Sequence, residues 1–298
     1  MFKLIEGKVV AQRIRDEVKN EVLRLQEQTG KVPGLAVVLV GNHPASETYV
    51  RSKINACKEV GIESHFIALH ESTTEEELLL KITELNNNPQ MNGILVQLPL
   101  PGHINENKII DEISRFKDVD GFHPENIGRL WSGQMDCIIP CTPAGIIELL
   151  KSHNISTRGK HVVILGRSNI VGKPLAGLFL HKERNSTVTV CHSNTTDITF
   201  FTKTADILIS AVGRPNLVKG DMVKEGVVVV DVGMNRVESA DSPKGYILCG
   251  DVDFESVSKK SSRIMPVLGG VGPMTVAMLM QNTLFAFKQF SNVIKKEK

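Results

Sequence analysis

The stretch that most constrains the fold is Val162-Val163-Ile164-Leu165-Gly166-Arg167-Ser168-Asn169-Ile170-Val171-Gly172-Lys173-Pro174. Four apolar residues, three of them of high β-propensity, run into a glycine, a short polar loop, a second glycine and a proline suited to the first turn of a helix. The pattern predicts a buried strand, a tight turn and a helix N-terminus, whose unpaired N–H groups and positive dipole end can hold a phosphate. The spacing Gly-x-Ser-x-x-x-Gly departs from the three-glycine dinucleotide fingerprint, and an ordinary βα turn of any α/β protein also fits it.

The rest of the chain alternates in the same way. Lys8 to Gln28 has the apolar spacing of a helix, Leu35 to Val40 is a continuous apolar strand, and a helix from about Ser46 to Val60 is closed by Gly61. A strand near His65 to Leu69, a helix after the capping-box spacing Thr74-Glu75-Glu76-Glu77, and a strand from Gly93 to Pro99 follow. Such alternation implies a right-handed parallel layer. Pro99 to Pro140 reads as irregular and polar, and Thr142-Pro143 as an N-cap and first residue of a helix to about His153. Strands at 162–166, 187–191, 206–211 and 227–231 then outline a nucleotide-binding half, and a glycine-rich turn leads into a long apolar helix. The expected architecture is two α/β domains. The first spans 1–145 and is completed by a C-terminal helix at 273–298; the second, Rossmann-like, spans 146–272.

With 298 residues, 41% of them hydrophobic, the chain can bury a core for each domain. A formal charge of +2, one Trp and two Tyr leave little for nucleic acid, and no apolar run reaches the roughly 18 residues of a membrane span. Five cysteines without a Cys-x-x-Cys pair point to a reducing compartment, and the start Met1 to Gly7 lacks a signal-peptide core. A cytoplasmic location is expected. No histidine or cysteine spacing suits a metal, and none is expected.

Tyr49 and Lys53 lie four apart and share one helix face. A lone lysine there is ordinarily a solvated residue, but Gln97 ends the third strand and Asp118 and Asp120 follow it, where an open α/β sheet gathers ligand-binding groups. A lysine partly desolvated beside tyrosine and apolar walls can shuttle protons near neutrality. In the second half, the strand ending Cys191-His192-Ser193-Asn194 carries no acid for a ribose 2′-hydroxyl, while Arg167 and Ser193 suit a 2′-phosphate. This favours NADP over NAD. The same two residues also read as ordinary loop residues.

Six motifs together resemble the bifunctional methylenetetrahydrofolate dehydrogenase/methenyltetrahydrofolate cyclohydrolase family. They are Tyr49-Val50-x-x-Lys53, Gly93-Ile94-Leu95-Val96-Gln97-Leu98-Pro99-Leu100-Pro101, Lys117-Asp118-Val119-Asp120-Gly121, Pro140-Cys141-Thr142-Pro143-x-Gly145, Gly166-Arg167-Ser168-x-x-Val171-Gly172-x-Pro174 and Gly269-Gly270-Val271-Gly272-Pro273-Met274-Thr275. The match runs in order from about residue 5 to residue 287. It implies NADP-dependent oxidation of 5,10-methylenetetrahydrofolate followed by hydrolysis to 10-formyltetrahydrofolate, in a homodimer joined through its nucleotide domains, with the folate in a cleft between the domains of each chain. By motif position it implies that Lys53 handles protons in the hydrolysis, Gln97 positions it, Tyr49 lines the folate cleft and Asp120 bonds the pterin. Leu98, Leu268, Gly272 and Pro273 border the folate on the same basis. Gly166, Arg167, Ser168, Ile170, Val171 and Gly172 hold the cofactor phosphates, with Ser193 near the 2′-phosphate and Gly213 near the nicotinamide. Leu268 stands where the family usually has proline. A dehydrogenase without the hydrolytic step, and a protein that binds NADP without turnover, are the competing expectations; an unrelated amino-acid dehydrogenase leaves the co-occurrence of Tyr49, Lys53 and Asp120 unexplained.

Overall fold

Continuous apolar runs become strands buried along almost their whole length, the pattern of a parallel sheet covered by helices. The computed structural model describes residues 2–239, 242, 245–267 and 269–296. The chain forms two compact units, Ala11–Cys141 with Val276–Lys298, and Met1–Val10 with Thr142–Thr275.

The chain opens with β1 (Lys3–Leu4) and α1 (Gly7–Thr29). There follow β2 (Gly34–Val40), α2 (Pro44–Val60), β3 (Glu63–Leu69), α3 (Glu75–Asn87) and β4 (Gly93–Val96). The three strands from β2 to β4 pair in parallel in the order β3-β2-β4. Central β2 is buried throughout, and Val38, Ile82 and Ile94 meet in the core beneath it. The predicted capping box forms: Glu77 N–H donates to Thr74 Oγ1 at 3.2 Å and Thr74 N–H to Glu77 Oε2 at 2.8 Å. Between Pro99 and Pro140, where the sequence reads as irregular, the structure has α4 (Glu106–Glu112) and α5 (Pro124–Trp131), capped by Asn105 and His123. Helices of two turns are too short to show a helical period in the sequence.

The other unit contains α6 (Cys141–Ser152), β5 (His161–Leu165), α7 (Gly172–Leu180), β6 (Thr187–Cys191), α8 (Ile198–Thr202), β7 (Ile207–Ser210) and β8 (Val228–Asp231). An antiparallel pair, β9 (Asn235–Glu238) and β10 (Tyr246–Cys249), precedes α9 (Phe254–Ser258) and β11 (Arg263–Ile264), and α10 (Val271–Lys296) ends the chain. The sheet is parallel throughout, in the order β1-β11-β8-β7-β5-β6. Val163, Leu208, Val229 and Ile264 lie in its core. The chain steps from β5 outward to β6, then returns past β5 to β7, so the strand order reverses between β5 and β7.

Two local expectations change. Helix α6 begins at Cys141, one residue before Thr142, so Thr142 sits inside the first turn and is not the cap. Its hydroxyl instead pairs with that of Thr275 at 2.8 Å. The first residues do not stay with the early strands: Lys3 N–H donates to Ser262 O and Ile5 N–H to Ile264 O, both at 3.0 Å, and Ile5 is fully buried.

The start of α1 then holds the glycine-rich turn, because Gly7 and Lys8 both donate their N–H to Gly269 O, at 2.9 and 3.1 Å. These are orphan donors of a helix N-terminus that find a backbone acceptor. The approach is close enough that a Cβ on Gly7 would lie 1.9 Å from Gly270 O. Gly7→Ala should therefore displace this turn and lower stability by about 1–3 kcal/mol, read as a lower urea midpoint with an unchanged slope.

Candidate active site

In an open parallel sheet, groups following the strands on either side of an order reversal converge in one crevice. In the β3-β2-β4 sheet that reversal lies between β2 and β4. Lys53, on the helix after β2, donates its Nζ to Gln97 Oε1 at 3.0 Å. Gln97 is the first residue beyond β4, and its N–H donates to Val38 O at 2.8 Å, which fixes it to the end of the sheet. Its own Nε2 donates to Leu98 O at 2.7 Å. Asp120 is half-buried; burial raises its carboxyl above the usual range, and the nearby Lys53 ammonium draws it back down. The buried Cys141 thiol is pushed well up by burial and by Asp120, with Lys53 opposing. An ammonium and an amide are thus hydrogen-bonded, with a carboxyl that feels the ammonium charge nearby, and Tyr49 lies one turn earlier on α2, 44% exposed.

The segment Lys117 to Gly121 explains why Asp120 alone remains available. Lys117 is buried, and its Nζ donates to Leu85 O, Asn86 O and Asn88 O at 3.1, 2.7 and 2.8 Å, closing the end of α3. Burial lowers this ammonium to about 8. Asp118, also buried, accepts the N–H groups of Gly121, Phe122 and His123 at 3.1, 3.1 and 2.8 Å, and Asn126 Nδ2 at 2.9 Å. Burial raises its carboxyl to about 7 even against these donors. Val119 is buried, and its carbonyl accepts Asn282 Nδ2 at 2.9 Å, the same amide that bonds Ile139 O at 2.9 Å. Two side chains and one carbonyl are thus consumed in building the loop, and the fourth residue, Asp120, feels the Lys53 charge.

In the second unit the reversal between β5 and β7 carries a cavity of about 390 Å³. Gly166 and Arg167 from the end of β5, His192 and Ser193 from the end of β6, and Val212 and Arg214 from the end of β7 line it. The two glycines of the turn are explained by crowding: a Cβ on Gly166 would lie 2.2 Å from Ala211 O, and one on Gly172 would lie 2.1 Å from Gly166 O. The backbone of the turn therefore packs directly on itself and on the β7 end. Ser168 Oγ accepts the N–H groups of Val171 and Gly172 at 3.2 and 3.4 Å, capping α7. The lining holds two guanidinium groups and no carboxylate, which fits a ligand carrying phosphates, an additional 2′-phosphate included.

The structure thus gathers Lys53, Gln97, Leu98 and Asp120 in one unit, with Tyr49 at their margin, and Gly166, Arg167, Ser193 and the Gly213 turn around the cavity of the other. Ser168, Val171 and Gly172 form the start of α7, with Ile170 exposed beside them. Gly172 is buried under Gly166 and donates its N–H inward to Ser168. Gly272 and Pro273 occupy the first turn of α10, in the unit that holds the cavity. Leu268 lies outside the described residues. Sequence reasoning did not single out Arg214, Asp231 or Asp251, and gave Lys117 no separate role; their only signal is proximity to the strand ends.

A cavity at the strand-order reversal of one unit and a lysine–glutamine pair beside a carboxyl at that of the other are the arrangement of a cofactor-dependent α/β enzyme. Family models agree: residues 5–120 match the catalytic domain of tetrahydrofolate dehydrogenase/cyclohydrolase, and residues 140–291 match its NAD(P)-binding domain. The bifunctional protein FolD of Chloroherpeton thalassium is 54% identical over 290 residues, covering 96% of this chain and 99% of that protein. The crystal structure of the bifunctional FolD enzyme of Campylobacter jejuni superposes with a TM-score of 0.92 at 49% identity, over 97% of this chain and 99% of that one. The FolD of Trypanosoma brucei, solved with NADP and an inhibitor, gives a TM-score of 0.92 at 39% identity over 97% and 98%. The chain belongs to the tetrahydrofolate dehydrogenase/cyclohydrolase family.

Asp118→Asn keeps the shape of the loop anchor but turns one acceptor into a donor facing N–H groups. It should cost about 1–3 kcal/mol in urea unfolding and lower the hydrolytic rate along with it, because Asp120 loses its fixed place.

Proposed function

We propose that this enzyme oxidises 5,10-methylenetetrahydrofolate with NADP and hydrolyses the 5,10-methenyl product to 10-formyltetrahydrofolate. The observation that carries the reading is the Lys53 Nζ to Gln97 Oε1 hydrogen bond of 3.0 Å beside Asp120 at the strand-order reversal. Hydride transfer asks the protein for no acid or base, since the folate nitrogens stabilise the cation that forms; it asks for orientation and the exclusion of water. Hydrolysis differs. Water must attack an amidinium-like carbon and a ring nitrogen must leave, so a group that takes and returns a proton is required. Lys53 fills that role, Gln97 fixes the direction of its Nζ, and Asp120 hydrogen-bonds the pterin. By the family resemblance, Tyr49, Leu98, Leu268, Gly272 and Pro273 are the residues that contact the folate.

In the other unit, the turn from Gly166 to Gly172 holds the cofactor phosphates, Arg167 and Ser193 receive the 2′-phosphate, and Gly213 lies on the nicotinamide side. When bound, the nicotinamide supplies the hydride acceptor. We assign the folate chemistry to Ala11–Cys141 with Val276–Lys298 and cofactor binding to Met1–Val10 with Thr142–Thr275. The family resemblance supports a homodimer joined through the nucleotide-binding units. Among the described residues no helix is long and apolar enough to cross a membrane, and all five cysteines are free thiols, four of them buried; a reducing, cytoplasmic setting accords with that.

Lys53→Met should reduce cyclohydrolase activity at least 100-fold while measurable hydride transfer remains, followed by methenyl absorbance and by reduced nicotinamide in one spectrum. Equal loss of both would overturn the role given to Lys53. Arg167→Ala should raise the KM for NADP by about 10- to 100-fold, as for the loss of a charge-assisted hydrogen bond, and leave the KM for NAD nearly unchanged. An unaltered preference would remove the case for the 2′-phosphate.

A further inference from the structure

The loop after β7 contributes Val212 and Arg214 to the nucleotide cavity, and it reaches no helical turn until Gly220–Met222. A buried side chain holds it there. Asp251, fully excluded from solvent, accepts Val212 N–H at 2.7 Å and Gly213 N–H at 3.2 Å through Oδ2, and Arg214 N–H at 3.0 Å through Oδ1. Ser210 Oγ at 3.3 Å and Asn235 Nδ2 at 3.0 Å complete its partners. Asp251 is itself held by a second buried carboxyl: Asp231, at the end of β8, accepts the N–H groups of Asp251, Val252 and Gly233, each at 3.0 Å. Glycines make room for both. A Cβ on Gly233 would lie 2.2 Å from Asp251 Oδ1, and one on Gly250 would lie 1.8 Å from Asp231 Oδ2.

We infer that Asp251 is a positioning residue for the dinucleotide: it fixes the three consecutive backbone N–H groups of Val212, Gly213 and Arg214 after β7 and so sets the cavity wall that Val212 and Arg214 form. It touches neither reacting atom nor proton. A carboxylate suits the task because it is acceptor-only, so all its lone pairs can meet donors, whereas an amide must place two N–H groups among them. The inference rests on the NADP reading above.

The test uses the full chain. Asp251→Asn should raise the KM for NADP and its Kd by titration calorimetry at least tenfold, with kcat at saturating NADP and the NADP-independent cyclohydrolase rate both within twofold of the unaltered enzyme. A general loss of structure would lower both rates and leave KM alone. Asn235→Ser removes the amide that steadies Oδ1 and should raise the same KM threefold or more; it decides the matter alone if Asp251→Asn does not fold. A KM for NADP within twofold of the unaltered enzyme in the folded variant would overturn the inference. Failure of the unaltered enzyme to bind NADP would instead overturn the underlying reading, and calorimetry on that protein shows it before any variant is made.

Discussion

Both sites depend on a carboxyl group buried behind a loop. A polypeptide that leaves a parallel strand and turns sharply carries several adjacent N–H groups that neither sheet nor helix can pair, and burying them unpaired is costly. Each unit meets this in the same way. Asp118 takes three consecutive N–H groups and the amide of Asn126; Asp251 takes three consecutive N–H groups and the amide of Asn235. Each carboxyl ties its connection down from beneath, one beside Asp120 and the other beside the cavity at the end of β7.

Burying these groups carries an electrostatic cost, visible in Asp118 raised to about 7 and Asp231 raised to about 6. The cost is tolerated because several donors surround each group. In the same segment, the buried Lys117 ammonium is lowered to about 8 while satisfying three carbonyls at the end of α3. The motif Lys117 to Gly121 is therefore mostly scaffold, with Asp120 left half-buried near Lys53.

What the sequence makes legible follows from how strongly burial writes into it. Strands buried on both faces, such as β2, β5, β7 and β8, are continuous apolar runs and stand out within a residue or two of their ends. The capping box at Thr74 is equally plain, since each of its two bonds needs a particular side chain, three residues apart, to accept the other residue's backbone N–H. Two-residue strands β1 and β11 leave no pattern, and α4 and α5 are too short to show a period. The start of α6 reads one residue late because Thr142-Pro143 imitates a cap whose hydroxyl is spent on Thr275 instead. Lys53, Gln97 and Asp120 are legible through spacing and family motifs. The roles of Asp251 and Asp231 were illegible because their partners are backbone N–H groups, which every residue possesses and no letter of the sequence records.

The pairing of β1 with β11, and of Gly7 with Gly269, ties the earliest segment of the polypeptide to one made some 260 positions later. During translation Ile5 has no completed sheet edge to enter until residue 264 has emerged from the ribosome. The strand Lys3–Leu4 therefore finds its partner only after more than 250 further residues have been made, and this sheet gains its edge strand after its central strands.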